Sequence, residues 1–434
     1  MRRAARHHTH DRSKRRADHG RRGTIYILVL AVAANLVVMG MAAIYLLRVR
    51  MRGVGAEKER REVRRLAYCG VEQAIAMMNN YTAGTGDWRA DYTNDQETTP
   101  VDMGDGQVSF KLVDEDGDLA DDPTDPLWVY GIGRIGDAVW VERAKARVDQ
   151  GLPLECLRTA VHSHRSLTLP LGTELTVVGA PASTDGTLDV KGTLTGDGEA
   201  VDASLGGSVS GTVTVPAESK GMPPRTLFDE YIGRATTLTY SGDLDTIALG
   251  PGVNEYDGSG VNTDGVYYLN TGGSDLMIDK VRVCGTLIVD ADGGEVTIGT
   301  CFMKPCREDL PVLMVKGDLT MHFLSPTFIE GVPVSHNFNP PGAPYQGVSD
   351  SDTTDSYPRG FFGLVHIIGN TTIGNVGTSK GVFVVDGQIT IFGQAAQITH
   401  DPDLMYNPPL GYANDPNSTA MIIRSGSWSR QAAP

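Results

Sequence analysis

Cysteine is scarce in this chain, with five in 434 residues, an odd number that leaves at least one thiol out of any disulfide framework. Aromatic residues make up 7% and charged residues 21%, while glycine reaches 52. That balance fits turn-rich β structure better than a helical bundle and argues against long disorder. Signatures of common enzymes are missing as well: there is no H-E-x-x-H, no G-x-S-x-G and no P-loop. What remains is long enough for two or more modules, since 434 residues exceed one compact core.

Charge is divided along the chain. Residues 1–65 carry 17 Lys/Arg against 5 Asp/Glu, and the remainder carries 21 against 48. Between Ile25 and Leu47 charge is absent altogether: IYILVLAVAANLVVMGMAAIYLL holds only Asn35 as a clearly polar residue. At about 1.5 Å per residue this run crosses a hydrocarbon core of about 30 Å. Tyr26 and Tyr45 sit near its ends, where amphipathic rings favour the interface, and Arg48, Arg50 and Arg52 stop it. Residues 1–22 hold eight Arg and one Lys, which favours a cytoplasmic N terminus, although residues 48–65 hold eight basic residues of their own. A cleaved secretory signal has a shorter apolar core and a small-residue cleavage site rather than arginines. The basic arm lacks interleaved aromatics, so it reads as a topogenic tail and not as a nucleic-acid-binding segment.

Val63, Ala67, Val71, Ala74 and Met78 then recur at steps of three and four, predicting an amphipathic helix whose charged base, EKERREVRR, leads into an apolar top, LAYCGVEQAIAMM. RRGTIYILVL, the apolar span and LAYCGVEQAIAMM together resemble the N terminus of PilX-type type IV pilus assembly proteins and minor pseudopilins. Their "AEAGVE.A" signature is matched by Ala67, Gly70, Val71, Glu72 and Ala74, with Tyr68 and Cys69 departing from it. The resemblance implies a prepilin-peptidase cut after Gly23, making Thr24 the new N terminus. Most pilins carry Glu five residues into the mature chain, where this chain has Leu28.

GQVSFKLV, with Val108, Phe110 and Leu112 alternating, and VWVERAKARV, with Val139, Val141, Ala144, Ala146 and Val148 as its apolar residues, predict a small antiparallel sheet. The pattern "G.G...A.r.v.v" of the pilin-like head is seen in Gly131, Gly133, Gly136, Ala138 and Val141. Between the strands, DEDGDLADDPTD crowds Asp114, Asp116, Asp118, Asp121, Asp122 and Asp125 into one loop. Asp114, Asp116 and Asp118 begin like a calcium loop, but glycine falls at the fourth position and not the sixth, so this is no EF-hand; a solvated acidic turn is the alternative.

From residue 152 helical signals nearly vanish and a glycine-led repeat takes over: GVYYLNTGGSDLMI, GTLIVDADGGEVTI, GLVHIIGNTTI and GVFVVDGQITI, at offsets of 18 and 20, with Gly317 matching Gly369 and Gly387. Units that cannot bury their apolar faces alone do so when stacked, which predicts a parallel β-solenoid. Thinner coils begin at Gly172, Gly186 and Gly207, a helix with Leu227, Tyr231 and Ile232 interrupts, and residues 340–357 read as a surface excursion. Residues 155–412 also resemble the β-helical domains attached to PilX-like proteins, whose "DP....NPP.G" ending matches Asp401, Pro402, Asn407, Pro408, Pro409 and Gly411.

Chemistry is thinly represented. Asp275, Asp290, Asp292 and Asp318 fall near turns without a repeated carboxylate position, and His162 and His164 lack a Cys or carboxylate at ligand spacing. Cys301 and Cys306 are close enough in sequence to close a short disulfide loop in an oxidising compartment, with Cys284 as a competitor.

The expectation is a mainly β protein: basic leader 1–23, transmembrane helix 24–47, stalk helix 48–82, small pilin-like α+β head 83–151, β-solenoid 152–412 with a helical insertion near 223–236, and a flexible tail 413–434. It would be a non-enzymatic, single-pass protein of the bacterial cytoplasmic membrane with its bulk outside, without a cofactor unless calcium. Expected partners are the bilayer, other pilins or pseudopilins, prepilin peptidase, and a protein or polysaccharide surface. An anchored carbohydrate-active β-helix enzyme and a self-associating bactofilin-like scaffold are the alternatives.

Overall fold

The computed structural model describes residues 14–81, 87–323, 328–331, 335–393, 396–415 and 420–431, with side chains from residue 25 onward. Most of the basic leader lies outside these residues. The first element is a single helix, α1 (Lys14–Asn79), 66 residues long. Membrane and stalk segments are therefore one rod: Gly53 and Gly55 sit inside it with open space around them, and exposed pairs such as Arg61 Nε–Glu57 Oε1 at 3.0 Å support the turns that follow. Among the described residues, this is the one helix long and apolar enough to cross a membrane, and its apolar stretch is uncovered.

The C-terminal end of α1 is buried. Val63, Ala67, Val71, Ala74 and Met78, the residues of the predicted stripe, face a small antiparallel sheet of β1 (Val101–Met103), β2 (Gly106–Val113), β3 (Leu127–Ile135) and β4 (Ala138–Val148). Val108, Phe110 and Leu112 are buried as their alternation requires, whereas Val139 is exposed at the hairpin end of β4. The helix comes unusually close to β3. A Cβ on Gly131 would stand 2.0 Å from the Ala67 carbonyl oxygen and one on Gly133 would stand 2.2 Å from that of Val63, so only glycine admits the rod at this distance.

Two further strands complete this sheet, and they correct the expectation of a flexible tail over 413–434. Met421–Ile423 and Ser429–Gln431 both pair antiparallel with β4, through Met421↔Val148 and Ser429↔Arg143. They cover an edge that β4 would otherwise leave open. Trp428 packs on Tyr68, with ring centroids 4.9 Å apart.

Everything between β4 and Met421 is thus an insertion in the small sheet. Its bulk is a 21-stranded, almost wholly parallel sheet. The glycine-led repeats are its layers: Val266–Asn270 pairs with Thr286–Ile298 at an offset of 20 residues, and Gly363↔Gly381 sets an offset of 18. Inward-facing Leu, Ile, Val and Phe residues from every layer form one core that runs through the module. Gly369 and Gly387 stack on the layers before them, where added Cβ atoms would lie 2.1 Å from the carbonyl oxygens of Gly317 and Gly369 respectively.

The layers are not in chain order. Lys380–Val385 and Ala396–His400 pair with Val161–Ser163 and Glu174–Val178, so the thin early layers stand beyond the late ones. The chain enters the stack in its middle, runs out to Val213–Thr214, crosses to the opposite end at Thr236–Leu238, and returns to where it entered. The segment after His400 therefore ends no stack. It packs instead against α2 (Leu227–Ile232), where Tyr231 Oη donates to the Leu410 carbonyl at 2.8 Å. Entry and exit strands touch: Leu154 N–H donates to Tyr412 O at 3.0 Å and Asn414 N–H to Leu152 O at 2.9 Å.

The excursion after Asn339 is better anchored than its composition suggests. Arg282, buried in its strand, donates to the carbonyls of Phe338, Ala343 and Pro344, and Phe302, Phe328, Phe338, Tyr345 and Tyr357 enclose it.

Candidate functional site

Chemically dense residues gather where the small sheet meets the inserted module. The acidic loop between β2 and β3 is shaped by its own side chains: Asp116 and Asp118 carboxylates accept from the N–H groups of Asp118 and Ala120 at 3.0 Å, Asp122 accepts from Thr124 N–H at 2.8 Å, and Gly117 takes φ +97°. These turns fold the loop back so that its two ends meet. Asp114, Asp116, Asp121 and Asp125 each bring a carboxylate oxygen within 4.8 Å of the others. Of the predicted trio, Asp114 and Asp116 belong to this group; Asp118 does not, because its oxygen is turned onto Ala120 N–H. Asp121 and Asp125 take its place, brought in by a reversal that linear spacing does not display.

Opposite the loop stands Arg307 of the inserted module. Its guanidinium contacts Asp125, lies 3.5 Å from Asp122, 2.9 Å from Asp264 and 2.8 Å from Asp309. Asp122 also receives Arg234 Nη1 at 2.8 Å. Burial works against the Arg307 charge, but Asp309, Asp125 and Asp264 outweigh it and hold its pKa above the ordinary value. One guanidinium cannot match four carboxylates. Burial, opposed by Arg307 and reinforced by Asp122 and Asp264, pushes the Asp125 carboxyl up to about 9. Burial likewise raises Asp114 to about 6, with Asp116 adding to the effect and Arg89 opposing it. Beside these groups a cavity of about 440 Å³ is lined by Asp114, Asp116, Asp125, Lys145, Arg307 and Arg424. Arg424 pairs with Glu308, and Arg147 Nη2 donates to the Tyr406 carbonyl at 3.0 Å, so contacts from both modules close the joint.

A second polar surface lies on the flank of the parallel sheet, a groove of about 650 Å³ lined by Asp275, Asp292, Glu295, Lys316, Asp318 and Asn370 among others. Here the register corrects the sequence reading. Glu295 pairs with Asp318, and exposed polar residues continue the column from Asp275 to Gln388. The side chains of Asp275, Asp318 and Asn370 accept backbone N–H groups of Glu295, Asn370 and Gln388 in the neighbouring layer at 2.9, 2.8 and 3.2 Å. The column therefore stitches layers together.

His162 and His164 do have a carboxylate between them, one layer away. Asp185 Oδ2 is 3.0 Å from His164 Nδ1 and 3.6 Å from His162 Nε2, and His162 Nδ1 meets Ser183 Oγ at 2.7 Å. Although burial opposes it, these imidazoles and the Lys220 N–H hold Asp185 well below the usual carboxylate range. His162 and Ser183 are buried, while His164 is exposed at the surface. The cysteines are free thiols. Cys301 points into the core, while Cys306 Sγ donates to the Asp264 carbonyl at 2.7 Å. Cys301 and Cys306 are therefore not joined here, because the strand alternation turns the first inward and the second lies beyond the strand end. Burial pushes the Cys306 thiol up to about 12. Gly23 and Thr24 lie within the helical course of α1, their side chains outside the described residues.

No family model matches the chain, and no curated protein matches it. Among solved structures, the crystal structure of the competence-associated pilin ComZ from Thermus thermophilus is similar at a TM-score of 0.32, with 12% identity over 78% of this chain and 87% of that one. At that score the likeness carries no argument about fold or function.

Proposed function

We propose that this chain is a pilin-like, single-pass cell-envelope protein that displays a parallel β-solenoid outside the cytoplasmic membrane as a structural, adhesive or type IV pilus assembly component. The observation that carries the reading is α1. One unbroken helix leaves its apolar stretch uncovered and seats only its last turns, from Val63 to Met78, on a small antiparallel sheet. The residues behind the family resemblance meet there: Ala67, Gly70 and Val71 of the helical signature lie against Gly131 of the sheet signature. The winding is supported by the 18- and 20-residue layer registers. The basic residues ahead of Ile25 favour a cytoplasmic N terminus. A non-enzymatic role is supported by the flank column, whose Asp275 and Asp318 are engaged by backbone donors.

The groove on that flank favours a second reading, an anchored carbohydrate-active protein, because hydroxyl-rich chains suit a long polar surface with both Lys316 and carboxylates. The test of the first reading is the intact mass of the full chain extracted from membranes, expressed with and without a prepilin peptidase. Loss of residues 1–23 only with the peptidase supports entry into a pilin assembly pathway despite Leu28. Full-length mass in both preparations would refute processing and leave an anchored solenoid.

A further inference from the structure

Five of the six aspartates of the loop after β2 fall into two groups with different fates, and Asp118, turned onto Ala120 N–H, belongs to neither. Asp122 and Asp125, together with Asp264, face guanidinium groups: Arg234 meets Asp122, and Arg307 meets all three. Each of these three therefore has a cationic partner, although Arg307 is shared among them. Asp114, Asp116 and Asp121 have no comparable partner. Arg89 Nη1 stands 4.0 Å from Asp114 Oδ2, beyond hydrogen-bond reach, and its guanidinium donates instead to the carbonyls of Leu119 and Asp125.

Asp114 is the telling residue. Its side chain is 3% exposed, yet Oδ2 accepts no hydrogen bond, and the carboxylate is directed at those of Asp116, Asp121 and Asp125. A buried, unsatisfied carboxylate oxygen is costly unless something electropositive meets it. We propose that Asp114, Asp116, Asp121 and Asp125 together hold one calcium ion at the joint between the small sheet and the inserted module.

The donors are all hard oxygens, which excludes metals that prefer nitrogen or sulfur. Oxygens on opposite sides of a calcium ion stand up to about 5 Å apart, matching a group gathered within 4.8 Å, and magnesium needs a tighter octahedron. Asp116 and Asp121 are exposed and the adjoining cavity opens to solvent, leaving room for the waters that complete calcium coordination. Asp125 serves two partners, so the ion and Arg307 would grip the same carboxylate from the two sides of the joint. This inference stands independently of the pilin-like reading.

The experiment is calorimetric titration of calcium chloride into the full, detergent-solubilised chain after chelator treatment, with magnesium chloride as the comparison. The expected result is one calcium per chain with a dissociation constant between about 10⁻⁵ and 10⁻³ M, and magnesium at least about tenfold weaker. Asp121→Asn, an exposed change, should weaken calcium at least about tenfold while Asp118→Asn binds as the wild type does; circular dichroism checks that both fold. Absence of binding up to about 10 mM would overturn the proposal. So would equal loss in the two variants, which would mark diffuse attraction by an acidic loop, or undiminished binding by Asp121→Asn.

Discussion

Asn79 and Met421 lie 342 positions apart, yet the side-chain amide of the first brackets the backbone of the second, donating Nδ2–H to its carbonyl at 2.8 Å and accepting its N–H at 2.6 Å. The last turn of the long helix thereby holds the returning C-terminal strand against β4. Asn79→Ala should destabilise the small sheet by about 1–3 kcal/mol, because both backbone groups lose their partner in a half-buried place. Truncation after Asp415 should do more, exposing β4 to hydrogen exchange. Unchanged exchange of β4 amides in the truncated chain would contradict the pairing.

Gly131→Ala addresses the contact of helix and sheet. An added methyl would sit 2.0 Å from the Ala67 carbonyl and 2.6 Å from Val71 N, both backbone atoms of a packed helix, so neither can yield cheaply. A loss of about 1–3 kcal/mol or more is expected in denaturant melts, against a near-neutral Gly53→Ala, where nothing stands within 4 Å.

Arg307→Gln removes the cation shared by Asp122, Asp125, Asp264 and Asp309. Breaking a buried ionic cluster from one side costs about 3–5 kcal/mol, and here the loss falls on the joint. Small-angle scattering should record a broader range of orientations between the two modules, with the circular dichroism of each retained. Unaltered scattering would mean that the joint is held elsewhere.

His366 supplies the pH dependence. It is fully buried beside Phe228, with Nδ1 2.9 Å from Tyr412 Oη, and burial, opposed only by Asp386, lowers its pKa to about 3. The unfolded chain takes up a proton near pH 6.5 and the folded one does not until about 3. Stability from this residue is therefore complete above about pH 6.5 and is lost progressively as the pH drops toward 3. His366→Gln should flatten that part of the stability profile relative to the wild type; parallel profiles would refute the assignment.

Periodic features were legible before the fold was known. The stripe from Val63 to Met78 is buried as its spacing demands, and the glycine-led segments pair at the offsets at which they recur. Other features had no periodic signal to read. Met421–Ile423 is three residues long, and nothing local says that its partner is β4. Asp185 reaches the two histidines by a step of one layer, and Asp121 and Asp125 replace Asp118 because a loop doubles back. Arg282 is satisfied by three carbonyls of an excursion more than fifty residues further on, a partnership with no local signal in its strand.

The order of strands in the small sheet imposes a delay on biosynthesis. β4 leaves the ribosome about 270 residues before the strands that cover its edge, which at about 5–20 residues per second is a wait of roughly 15–55 s. During that interval the nascent chain carries a tethered apolar rod and an incomplete sheet with a bare edge. The sheet cannot close before the whole intervening stack has been synthesised, so its closure reports that the stack has already been made.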